Sequence, residues 1–187
     1  MTIETIKNAL PEYAKDIKLN ISSLVNEETL TSQQLWGCFV ACAMTGANET
    51  VTQSILSEAA QHLSTEAMTA AKSASAIMAM NNVYYKFVGM SANNEYKTMP
   101  AKLRMNVIAN PGVDKGDFEL WSLAVSAMNG CKFCVDAHEG QLKAHNIGSA
   151  EVQTAVRIAS VVAAASAILN AEYAAGSSEQ QTFAQAA

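Results

Sequence analysis

The stretch "STEAMTAAKSASAIMAMNNVYYKFV", residues 64–88, decides the fold. It holds neither proline nor glycine and is rich in alanine, the best helix former. Ser64 stands where an N-cap belongs, and Glu66 falls in the first turn, where a carboxylate meets the positive end of the helix dipole. The run reads as one long helix. At an offset of 85 residues the chain repeats it: Ser64, Glu66, Thr69, Ala70, Ala74 and Ser75 recur as Ser149, Glu151, Thr154, Ala155, Ala159 and Ser160.

Working outward, the same offset carries Leu35-Trp36 onto Leu120-Trp121 and Val40 onto Val125. "AMTG" at 43–46 meets "AMNG" at 127–130 one residue out of step, so a small insertion or deletion lies between. These matches predict an all-α chain built from two similar helical repeats. The first is expected at about 30–90 and the second at about 115–172. In the first, Thr31 or Ser32 caps a helix ending near Gly46, followed by "ETVTQSILSEAAQHL" and the 64–88 run. An amphipathic helical region covers about 2–25, with Pro11 marking a helix start. "GMSANNEYKTMP" is a looser connection, and the polar segment at about 175–187 is expected to be a flexible tail or to dock on a neighbouring subunit.

Composition agrees with this layout. Half of the 187 residues are apolar, while 3 prolines and 9 glycines are too few for the turns of an all-β fold. That length supports one domain over 1–187 with a full hydrophobic core. A net charge of -5 offers no basic surface for nucleic acid or an anionic membrane. The N-terminus lacks the uninterrupted apolar region of a secretory signal, and the run "IASVVAAASAIL" at 158–169 is short for a bilayer, so a cytoplasmic protein is expected.

The two repeats differ at one turn. The second reads "GCKFCVDAHEG" at 130–140, and the first reads "GANETVTQSIL" at 46–56, with neither cysteine nor histidine. Gly130 closes the helix that carries Trp121, and the next helix starts at or just before Cys131 and runs to about His145. Cys131 then sits at the helix N-terminus, where free N–H groups and the dipole favour a thiolate. Cys134 is one turn in, close enough for a disulfide, and His138 follows four residues later on the same face. In a reducing compartment such a pair is redox-active or metal-binding rather than a structural bridge.

Three readings of the cysteines stand side by side. They are a redox pair with His138 as proton acceptor, part of a metal site, or two core cysteines. Cys38 and Cys42, four apart, could complete a four-thiolate zinc site but lie on an apolar helix and read as core. Glu119, near the start of the preceding helix, is the carboxylate available to orient His138 or exchange protons with it. By position alone it equally reads as a solvated partner of the helix dipole. His145 and His62 read as residues at helix ends, the methionines as core or interface filling, and Trp36 and Trp121 as packing residues.

Glu119, Cys131-Lys132-Phe133-Cys134 and His138, at spacings of E-x11-C-x2-C-x3-H, resemble the signature of the alkyl hydroperoxidase D (AhpD) family, within the carboxymuconolactone decarboxylase-like superfamily. The resemblance extends over the whole chain. It implies an all-α homotrimer with its active site in the second repeat, acting as a thiol-dependent hydroperoxidase and as the reductant of a peroxiredoxin, AhpC. No tightly bound cofactor is implied; electrons come from dihydrolipoamide on a lipoyl-bearing acyltransferase. Carried over by position, Cys134 attacks peroxide and forms the mixed disulfide with the peroxiredoxin. Cys131 protonates the leaving oxygen and then closes a Cys131–Cys134 disulfide, while Glu119 and His138 relay protons. Some family members carry histidine where this chain has Phe133, so the relay here rests on Glu119 and His138. Non-redox, decarboxylase-like chemistry in the same superfamily and a metal-bound or structural helical module are the alternatives.

Overall fold

The computed structural model describes residues 1–185. Among them the regular structure is entirely helical. It comprises α1 (Ile3–Ala9), a 3-10 turn (Glu12–Ala14), α2 (Lys15–Leu24), α3 (Ser32–Gly46), α4 (Glu49–Ala59), α5 (Thr65–Met90), α6 (Glu95–Thr98), α7 (Asn106–Ala109), α8 (Lys115–Met128), α9 (Lys132–Ala144) and α10 (Ser149–Gln185). The all-α expectation therefore holds.

Caps explain most boundaries. Thr31 accepts from Gln34 N while the Gln34 side chain accepts from Thr31 N, a reciprocal capping box that starts α3. Asn48 accepts from Val51 N to start α4, and Ser64 accepts from Ala67 N to start α5. Asp114 accepts from the amides of Gly116 and Asp117 at the head of α8. Within the N-terminal helical region expected over about 2–25, Pro11 marks a new start: lacking an amide hydrogen, it ends α1 and opens the 3-10 turn that leads into α2.

The core is formed where α3, α5, α8 and α10 pack on one another, with α9 laid across α8 and α5. α8 is the innermost element: every residue from Gly116 to Ser126 is buried. Its Trp121 is fully buried, donates from Nε1 to Gln34 O at 3.1 Å, and lies flat on Gly37 of α3. A Cβ at Gly37 would fall inside the indole, so only glycine lets α3 approach α8 this closely.

α10 is longer than the apolar run that suggested it. Over Ser149–Gly176 it is long and apolar enough to cross a membrane by length and composition alone. In the fold, Ala155, Ile158, Ala159, Val162 and Ala165 are buried, and the helix packs against α3, α8 and α2 as a core helix. The segment expected as a tail from about 175 continues this helix in backbone to Gln185, in keeping with its alanine, glutamate and glutamine content; residues 186–187 lie outside the described ones.

Candidate active site

α8 ends at Met128, and Gly130 makes the turn with a φ of 64°, a left-handed conformation that glycine adopts without strain. The turn is tied down twice: Cys131 N donates to Ser126 O at 3.0 Å, and Lys86 of α5 donates from Nζ to Asn129 O at 2.9 Å. The chain then enters α9 with Cys131 as the N-cap itself, its Sγ accepting from Cys134 N at 3.4 Å. Cys131 and Cys134 are joined as a disulfide, with Cα atoms 5.4 Å apart. Cys131 is fully buried, whereas Cys134 keeps 4% of its surface exposed.

His138, one turn beyond Cys134, is buried, and so is Glu119 of α8. The two meet at 2.5 Å between Nδ1 and Oε2. Glu119 is therefore no solvated dipole partner, because α8 lies inside the molecule and turns this carboxylate toward α9. Burial leaves the carboxylate and imidazole few partners besides each other, which strengthens the contact. The four residues singled out in the sequence thus form one cluster spanning α8 and α9. The second ring nitrogen faces α5, with Nε2 3.2 Å from Sδ of Met78.

The surroundings of the cluster come from α5, and spacing did not reveal them. Asn82 donates to Ser126 Oγ at 2.9 Å and accepts from Asn129 Nδ2 at 2.9 Å, fastening α5 to the turn that carries Cys131. Phe133, between the cysteines, is 55% exposed and stacks on Tyr85 with ring centroids 5.0 Å apart. Its ring divides two surface cavities of about 370 and 330 Å³. The first is aromatic, with Tyr84, Tyr85, Tyr96 and Met99 in its walls; the second is edged by Lys86, Gly130, Lys132 and Asp136. Met78 and Tyr85 lie seven residues apart on one face of a helix, but no local pattern says which helix that face meets.

The remaining candidates lie elsewhere. Cys38 and Cys42 are free, fully buried thiols of α3, and desolvation pushes both well above the ordinary thiol range. His145 is the C-cap of α9, and His62 stacks on Trp36 at 4.6 Å. Neither reaches the cluster.

Comparison with known proteins points in one direction. Residues 94–176, which include Glu119, Cys131, Cys134 and His138, match the carboxymuconolactone decarboxylase family. The chain is 59% identical to the alkyl hydroperoxide reductase AhpD of Maricaulis maris, covering 92% of this chain and 99% of that one. It is 57% identical to the protein of the same name from Azorhizobium caulinodans, over 91% and 94% of the two chains. With that of Brucella anthropi the identity is 54%, over 91% and 98%.

Proposed function

Because the chain belongs to the alkyl hydroperoxide reductase AhpD family, we propose that it is an antioxidant dithiol oxidoreductase that reduces alkyl hydroperoxides with Cys131 and Cys134. The observation that carries this reading is the placement of the bonded cysteine pair at the start of α9 in one cluster with the buried Glu119–His138 contact. A dithiol couple needs two sulfurs within bonding reach and a nearby group to hold a proton between steps.

In the reduced enzyme, Cys134 passes its proton to the Glu119–His138 pair, and the thiolate attacks the terminal oxygen of the hydroperoxide. The O–O bond breaks, the alkoxide takes a proton from Cys131 and leaves as alcohol, and Cys134 becomes a sulfenic acid. The Cys131 thiolate then attacks that sulfur. Hydroxide leaves with the proton held by the pair, giving water and the disulfide of this structure. Two electrons and two protons have passed from the dithiol to the peroxide.

Reduction of the disulfide starts the next cycle by thiol exchange. Dihydrolipoamide, carried on a lipoyl-bearing acyltransferase, is the proposed donor, and a peroxiredoxin, AhpC, is the proposed partner through a mixed disulfide at Cys134. Cys134 suits that role as the bridge sulfur whose residue retains surface exposure. A homotrimer with no tightly bound cofactor is the proposed working form. Peroxide turnover driven by dihydrolipoamide tests the reading: Cys134→Ser is expected to abolish it, and full activity in that variant refutes the assignment.

A further inference from the structure

The imidazole of His138 has neighbours of opposite chemistry on its two edges. Nδ1 faces the Glu119 carboxyl at 2.5 Å, and Nε2 faces the Met78 thioether at 3.2 Å. Met78 is 1% exposed, so its sulfur has no bulk water to bond instead. A thioether sulfur carries lone pairs and no proton. So short an approach to a ring nitrogen is attractive only if that nitrogen bears the hydrogen.

We infer that Met78 is a positioning residue of this site: its sulfur accepts from Nε2–H and holds a proton on the α5 edge of His138. This rests on the dithiol reading for its catalytic meaning, though not for its geometry. With Nε2 protonated, one further proton lies along the line from Nδ1 to Glu119 Oε2, since otherwise two lone pairs would face each other there. Both ring nitrogens are then engaged, and the atom of the pair left to exchange a proton with a thiol is Glu119 Oε1. The histidine supports the carboxylate instead of meeting the sulfur itself.

Met78 is itself held in place. Asn82 Nδ2 lies 3.8 Å from the sulfur while bonding Ser126, so a second N–H stands on the same thioether. Among the described residues the titratable group bonded to the imidazole is Glu119 from α8, and α5 contributes the neutral Met78, backed by Asn82; Cys134 and Cys131 stand one and two turns back along α9, bonded to each other.

The test uses the full chain with ¹⁵N-labelled histidine, observing the ring nitrogens of His138 in the disulfide form, together with hydroperoxide kinetics. The wild type is expected to show a protonated Nε2 at neutral pH. Met78→Leu, similar in bulk but without an acceptor, should lose that signature and lower kcat about tenfold at unchanged KM. Met78→Gln restores an acceptor at similar length and should recover both signature and rate. A wild-type His138 protonated on Nδ1 alone overturns the inference, as does a Met78→Gln variant indistinguishable from Met78→Leu. Should Met78→Leu fail to fold, the wild-type and Met78→Gln spectra still decide. A wild type that shows Nε2–H but turns over no hydroperoxide supports the Met78 contact and refutes the redox function alone.

Discussion

Cys131 and Cys134 are bonded to each other at a helix start, while Cys38 and Cys42 are free thiols sealed inside α3. For the sealed pair, desolvation penalises the thiolate and raises the pKa, so raising the pH to 9 leaves them protonated and unreactive. A thiol reagent added to the reduced native protein is therefore expected to titrate Cys134, the one cysteine of the four with exposed surface, first and to reach Cys38 and Cys42 only after denaturant. Four fast thiols at pH 9 would refute that division. Spacing alone made Cys131, Cys134 and His138 legible, because i, i+3 and i, i+4 positions share a helical face, whereas Glu119 on the preceding helix was singled out by the family resemblance. Spacing could not show that Glu119 is buried, since that depends on how deep α8 sits. Nor could it show Met78 against His138, two residues sixty apart whose meeting is decided by helix docking.

At the scale of the element, α9 begins on a sulfur where most helices begin on an oxygen. Serine can replace that acceptor and alanine cannot. Under reducing conditions, Cys131→Ala should be about 1 kcal/mol less stable than Cys131→Ser by denaturant melting. Equal stability would mean the cap contributes nothing. The same reasoning explains which elements were readable. Thr31, Ser64 and Gly130 act through their own backbone neighbours, so α3 and α5 start, and α8 ends, where their chemistry said. α6 and α7, four residues each, carry too little periodic pattern to be read and lie in the stretch that links α5 to α8.

For the whole molecule, the apolar inventory exceeds what one chain covers. Val83, Phe87 and Met90 stand on the outer face of α5 at 72%, 48% and 71% exposure, at i, i+4 and i+7. A contiguous stripe of this kind marks a contact surface. The proposed homotrimer would bury it between subunits. Light scattering should then give three times the 19.9 kDa chain mass, and the double change Val83→Glu, Phe87→Glu should reduce it to one. A wild-type monomer would refute the trimer. Within each chain, the burial of α8 has an evolutionary consequence. Glu119 shares its helix with Trp121, which packs closely on Gly37 of α3, so almost any change near it alters folding as well as chemistry. α9 is exposed on its outer side, and Phe133 can vary there without cost to the interior. Divergence of specificity among related chains is therefore expected to be written on α9 and the facing surface of α5, with α8 held as the common inheritance.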